Sequence, residues 1–225
     1  MCADVRNPPP RDAPLSLLAN RHSIMTLFCD PDDPLGHGVR IVLAEKDVNV
    51  DVSYVTEDTK PEDLNDLNPY GAVLTLIDRD LVIYEPQVMM EYLDERYPHP
   101  PLMPVDPVSR AHNRQVRFRL ARDLYHLLSV MHGRNEVAAA NARKAFRDHL
   151  TAIAPAFSQQ PFFLSVELSL IDCCLAPLLW RLPVYGIKLP AQTRALSQYA
   201  ERLFARPAFQ ASLSPREREM RDGKK

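Results

Sequence analysis

Glycine is scarce, with 6 residues in 225 where an average protein would carry about 7%. Neither a G-x-G-x-x-G nor a Walker-type lysine loop can be read from the chain, so the usual phosphate cradles are missing. Cysteine is sparse too. Cys2, Cys29, Cys173 and Cys174 form no C-x-x-C pair, and two adjacent thiols cannot easily clamp one metal or close an ordinary disulfide. The seven histidines give no H-x-x-x-H or H-E-x-x-H, so no metal site and no cofactor is expected. No apolar run approaches the ~20 residues that cross a bilayer, and the N-terminus is polar and proline-rich rather than signal-like. The cytoplasm is the expected compartment, with no membrane partner. An excess of one charge is also lacking: 27 Lys and Arg against 29 Asp and Glu leave −2. Strong direct nucleic-acid binding would call for a marked basic excess.

What the chain does have is a core and many prolines. Hydrophobic residues make up 46% and charged residues 25%, which excludes disorder throughout. The 21 prolines are about double the usual share of ~5%. Residues 1–22, with Pro8, Pro9, Pro10 and Pro14, read as a flexible leader. The apolar run Ile24–Cys29 then predicts a buried strand, His37–Lys46 a helix, and the alternation of Val48, Val50, Val52 and Tyr54 a half-exposed strand. A short helix from Pro61 stops at Asn68-Pro69. Val73–Ile77 and Leu81–Tyr84 flank Asp78-Arg79-Asp80 as a hairpin, and Pro86 opens a helix with Val88, Met89, Tyr92 and Leu93 on its apolar face. The order β-α-β-α-β-β-α over 23–98 is the thioredoxin-like arrangement. Five prolines from Pro98 to Pro107 interrupt any helix, so 99–108 reads as a stiff linker.

Helical periodicity governs the remainder. Val116, Leu120, Leu124, Leu128 and Met131 recur every three or four residues, as do Ala142, Phe146, Leu150 and Ile153. Ser169-Leu170-Ile171-Asp172 has the form of a capping box, with Asp in place of the commoner Glu. The helix after it, Cys173–Leu182, is apolar nearly all round and should be the most buried, with Trp180 in the core. A last amphipathic helix covers about 191–205. The expected organisation is thus an α/β domain (23–98), the linker, an all-helical domain (109–214) and a charged tail (215–225). In that tail alternating signs read as an exposed helix end. A helix opening at Ser109 carries Arg110, Arg114, Arg117, Arg119 and Arg122. These can be an electrostatic patch for an acidic partner, but a solvated face with some ion pairs between dimer subunits is the preferred reading.

A thioredoxin-like domain followed by a helical one resembles the glutathione transferase architecture, and S-L-I-D-C-C-L-A-P-L-L-W resembles the hallmark of its C-terminal domain. The likeness is closer to one branch, the bacterial stringent starvation protein A family. Three groups of residues carry it: Val39–Lys46, Asp66-Leu67-Asn68-Pro69 and above all Met90–Pro104. Ala152–Pro155, Ala176–Pro183 and Glu217–Arg221 extend it over about 22–222. The resemblance implies a non-catalytic, homodimeric transcription regulator that binds RNA polymerase holoenzyme and its primary sigma factor under starvation or acid stress. It implies that the contact surface is Pro98, His99, Pro100 and Pro101. Flanking prolines suit this role by holding the imidazole on extended backbone with little entropy left to lose. Read without the family, His99 simply caps a helix end in a linker. Where the family often has Tyr, this chain has Asp106, which exchanges an aromatic anchor for a charge.

Glutathione chemistry makes three demands that the residues can be held against. A Tyr, Ser or Cys should sit at the start of the first helix, where the N-terminus stabilises a thiolate; Asp30–Gly38 offers none, and its three aspartates oppose one. Cys29 reads as a small buried hydrophobe. The fold normally sets a cis proline before the third strand, but here the residue is Leu74, and a cis bond before Leu costs ~2.5–4 kcal/mol. The γ-glutamyl carboxylate normally meets Glu-Ser, whereas this chain has Glu85-Pro86 and so lacks both the hydroxyl and the N–H. Leu74, Glu85 and Pro86 therefore mark a degenerate glutathione site, and no enzyme activity is expected. A divergent glutathione-dependent transferase is the alternative.

Overall fold

The computed structural model describes residues 24–222; the leader expected over 1–22 and the end of the tail lie outside the described residues. Two compact units are formed, one by 24–30 with 49–85 and the other by 31–48 with 86–222.

In the first unit, β1 (Met25–Cys29), β2 (Val50–Tyr54), β3 (Thr75–Asp78) and β4 (Leu81–Ile83) make one sheet in the order β2-β1-β3-β4. β1 pairs in parallel with β2 and antiparallel with β3, which sets Leu27 opposite Leu76. β3 and β4 form the expected hairpin. Its turn is closed by Arg79 at φ 57. Helix α2 (Glu62–Leu67) buries Leu64 against Phe28 and Ile77, with Val55, Leu67 and Val82 around them. Phe28, Ile77 and Val82 thus share the face under α2, while Leu27, Leu76 and Ile83 alternate onto the other face. All of these are buried but Val82, which is half-buried.

The second unit contains α1 (Pro34–Glu45), α3 (Pro86–Arg96), α4 (Pro107–Leu120), α5 (His126–Met131), α6 (Glu136–Ile153), α7 (Leu170–Trp180), α8 (Arg194–Phe204), α9 (Pro207–Ser212) and α10 (Pro215–Asp222). α4 and α5 are joined by one π-helical turn, Ala121–Tyr125. Every residue of α7 is buried, Trp180 included. Its start is a complete capping box: Ser169 Oγ accepts from Ile171 N, while Asp172 Oδ2 accepts from Ser169 N at 2.8 Å. Pro177 lies inside α7 and cannot donate to Cys173 O. That carbonyl lies 3.1 Å from where a Cβ on Gly38 would sit, and Met90 Cε only 2.7 Å away. Gly38 therefore lets α1 approach α7 more closely than any side chain would allow.

Three expectations need correction. α4 starts at Pro107, two residues before Ser109, because Asp106 caps it: its Oδ1 accepts from Ser109 N at 2.8 Å. The segment 99–108 is only partly a linker, since Leu102 and Met103 are buried. The tail is helical, and Pro215, Arg216, Arg218 and Glu219 are exposed as expected, but one of its faces is packed. Glu217 in α10 is 0% exposed, and Arg221 lies 4.3 Å from the Trp180 ring centroid and 4.4 Å from that of Phe204.

Candidate functional site

The proline-ringed turn is built from a buried ion pair. Asp94, in the last turn of α3, is 8% exposed and receives Lys46 Nζ at 2.6 Å. Its two oxygens also accept Leu102 N at 2.7 Å and Met103 N at 3.1 Å. Lys46 Nζ donates in addition to Pro100 O. One carboxylate and one ammonium thus hold both sides of the turn. Pro98, His99, Pro100 and Pro101 are left exposed between these anchors, and His99–Pro100 is the cis peptide among the described residues. Beyond the turn Leu102 O accepts Leu170 N at 3.0 Å, tying it to the start of α7. Val105 and Val108 stand exposed just after it. The sequence reading found the surface residues but not the Lys46–Asp94 clamp. Its only signal was a Lys and an Asp among apolar helical positions.

Asp106 is the N-cap of α4. Hydrogen bonds from Ser109 hold its carboxyl below the usual range, as an N-cap acceptor should be held. The arginine stripe also departs from a uniformly solvated face. Arg117 is buried: its Nε donates to Asn113 Oδ1 at 3.0 Å, and its Nη groups donate to Gln87 and Glu91. Arg114 grips Glu91 through Nε and Nη2, the latter at 2.7 Å. Burial alone would raise the Glu91 pKa, but the bonds from Arg114 and Arg117 outweigh it and leave the pKa lowered. These pairs fasten α4 to α3.

At the start of α1 the carboxylate of Asp33 accepts Leu35 N at 3.0 Å and Gly36 N at 2.8 Å. The N–H groups that would stabilise a thiolate thus face a resident anion. Cys29 is wholly buried. Leu74 is buried ahead of β3, and Val73–Leu74 is not among the cis peptide bonds of the described residues. Glu85 is exposed, and Pro86 is the first residue of α3. Cys174 is also buried, and desolvation pushes its thiol up to about 11. Among the described residues no group of three His, Cys, Asp or Glu could hold a metal, and no helix is long and apolar enough to cross a membrane.

The second unit also contains a buried charge centre that the sequence reading missed. Glu217 Oε1 accepts from Arg40 Nη2 at 2.8 Å and from Arg181 Nη2, and its Oε2 accepts Ser214 N at 2.8 Å. Ser214-x-x-Glu217 is a capping-box signature, and the reciprocal Glu217 N to Ser214 Oγ bond is present at 3.1 Å. His37 is 0% exposed beside this group. Arg181 Nη1, which can only donate, meets His37 Nδ1 at 3.0 Å. Nδ1 must therefore accept, and the proton sits on Nε2. From there it is donated to Ser212 Oγ at 3.1 Å, which in turn donates to Phe209 O at 2.7 Å.

Burial, then the charges of Arg181 and Arg40, hold the His37 pKa well below its usual value. Between the unfolded value near ~6.5 and the lower folded one, the unfolded chain binds a proton that the folded chain refuses. Stability must then fall as pH falls below ~6.5, by up to about 1.4 kcal/mol per pH unit from this residue. Denaturant titrations at pH 7.0, 6.0 and 5.0 should give a shallower loss for His37→Gln than for the parent protein. Equal slopes would mean that His37 protonates freely in the folded state.

The profile of the glutathione S-transferase N-terminal domain matches residues 28–101, and that of the C-terminal domain matches 118–207. A stringent starvation protein A homolog of Pasteurella multocida is 47% identical over 196 residues, which is 87% of this chain and 92% of that protein. One from Coxiella burnetii is 43% identical, covering 90% and 97%. Among solved structures, the tau-class glutathione S-transferase of mango, Mangifera indica, superposes with a TM-score of 0.76 at 25% identity, over 89% of this chain and 97% of that one.

Proposed function

Because the chain belongs to the stringent starvation protein A family, we propose that it works without catalysis, as a homodimeric regulator of transcription that docks on RNA polymerase and its primary sigma factor under starvation or acid stress. The observation that carries this reading is the clamped turn. A proline-flanked imidazole, fixed from below by Lys46 and Asp94 and open to solvent above, has little ordering entropy left to lose on binding. A catalytic role draws no comparable support. The helix N-terminus that would hold a thiolate is filled by Asp33, and Pro86 stands where a donor serine would meet the γ-glutamyl group. A divergent glutathione-dependent transferase has in its favour the shared fold and a weaker sequence similarity to transferase domains, and fold alone does not carry function. Calorimetric titration with micromolar glutathione affinity would restore that reading.

His99→Ala tests the docking surface. The side chain is exposed and makes no hydrogen bond among the described residues, so unfolding should change by less than about 0.5 kcal/mol. Recovery of RNA polymerase on the immobilised variant should drop by about tenfold, as expected for an interface anchor worth ~1.4 kcal/mol or more. Full recovery by a folded variant would remove His99 from the contact.

A further inference from the structure

We propose that a cleft between α4, the end of α6 and the turn at Phe163-Leu164 is a binding site for a small organic carboxylate with a single ring or short acyl chain. The site lies wholly within the helical unit, and the proposal is independent of polymerase docking. The cleft measures about 190 Å³. A cavity of roughly 150 Å³ suffices for benzene, so one ring fits and a large cofactor does not. Leu120, Leu124 and Phe163 form a buried floor, and Ile153 makes a half-buried wall. The rim is polar and of mixed type: His112, His149 and Arg119 surround a single carboxylate, that of Asp123.

The shape is set by the backbone. Asp123 and Leu124 lie on the π-helical turn Ala121–Tyr125; such turns cost regular helix bonding and recur at binding sites. Leu164, at the opposite lip, has φ 60 and is 45% exposed. A left-handed conformation is unfavourable for a bulky residue and persists only where its surroundings impose it. Here the surroundings are a tight turn closed by Phe162 N to Ser165 O at 3.1 Å and Ser165 N to Phe162 O at 3.4 Å. Asp172 Oδ1 accepts Phe163 N at 2.9 Å, anchoring the floor to the capping box of α7. Two independent departures from regular backbone therefore border the same cleft.

Charge selects the ligand class. Asp123 Oδ2 stands 3.9 Å from Arg119 Nε, a loose pair between side chains 39% and 72% exposed. The one anion of the rim thus already faces a cation, and the remaining polar groups are two imidazoles that can donate. A carboxylate at the mouth would meet the guanidinium in a charge-assisted bond while its apolar body covers Leu120 and Phe163. The Arg119–Asp123 pair competes equally with either kind of ligand, so the difference lies in the two imidazole donors, which a carboxylate can use and an amine cannot.

Full-length protein titrated with benzoate, benzyl alcohol and benzylamine, read by saturation-transfer NMR and calorimetry, tests this. Benzoate should bind, and at least about tenfold more tightly than either analogue, the ratio equivalent to one charge-assisted hydrogen bond. Arg119→Gln leaves the Asp123 carboxylate without its cation, so it should remove that preference while shifting the thermal midpoint by less than about 2 °C, since the i,i+4 pair it loses is loose and exposed. Ile153→Phe should abolish binding by filling the cleft. Val116→Phe serves the same purpose if Ile153→Phe does not fold. No benzoate binding, equal binding of all three probes, or binding that survives the filling variants overturns the proposal.

Discussion

Glu217→Ala is expected to lower the free energy of unfolding by about 3–5 kcal/mol, the usual consequence of removing one partner from a buried ion pair. Arg40 and Arg181 are almost wholly buried, and both direct an Nη2 at Glu217 Oε1. Without it two guanidinium groups would face each other and His37 in a region closed to water. The variant also loses the acceptor for Ser214 N and with it the start of α10. Glu217→Gln keeps the shape and one acceptor and should fall between the two. Arg216→Ala, one residue away, removes the exposed Arg216–Asp32 pair and should change stability by less than about 1 kcal/mol. Urea titrations of the three variants make the comparison. A loss below ~1 kcal/mol for Glu217→Ala would show that the charge centre is hydrated in solution.

The second large effect is expected at Asp172. Its Oδ1 accepts from Tyr199 Oη at 2.6 Å and from Phe163 N, and its Oδ2 from Ser169 N and Ser169 Oγ. Alanine would strip four donors of their acceptor inside the core, each costing about 1–3 kcal/mol if left unsatisfied. Even with partial relaxation, a loss of more than about 3 kcal/mol is expected. Burial raises the carboxyl pKa above its ordinary value, and the four hydrogen bonds only partly oppose this. As pH rises between the unfolded and the folded pKa, the unfolded chain releases its proton first, so ionisation of Asp172 costs stability. Much of the residue's worth is thus hydrogen bonding rather than charge. Asp172→Asn keeps an acceptor for one pair of these donors but turns an NH2 toward the other pair, so its loss should fall below that of Asp172→Ala without restoring the parent stability. Equal losses for the two would contradict this division.

Much of the fold was legible because its signals are local. The alternation around Val50–Tyr54, the proline at the head of α3 and the Ser169–Asp172 box each name an element from a few neighbouring residues, and the described structure contains all three. Where the expectation failed, it failed on ends and on partners. Ser109 was read as the start of α4 because Asp106 was weighed as a lost aromatic rather than as a cap. The alternating charges of the tail were read as solvated because nothing nearby in sequence pairs with Glu217; its partners lie 177 and 36 residues away. The S-x-x-E signature at Ser214 was available and would have announced an ordered helix there.

For the candidate site the division is the same. Pro98, His99, Pro100 and Pro101 declare a stiff and polar surface turn by composition, since proline fixes φ and removes a donor wherever it stands. That Lys46 and Asp94 clamp this turn, that Arg117 is buried while Arg114 is half exposed, and that His37 is held neutral are facts of long-range proximity. By itself the sequence determined the order and type of the main helices and strands, though not their ends, and what the turn is made of, because backbone sterics and periodicity act within a few residues. Only the tertiary structure decided which charges are buried together, because the energy of a charge depends on distance and dielectric, and neither exists until distant segments meet.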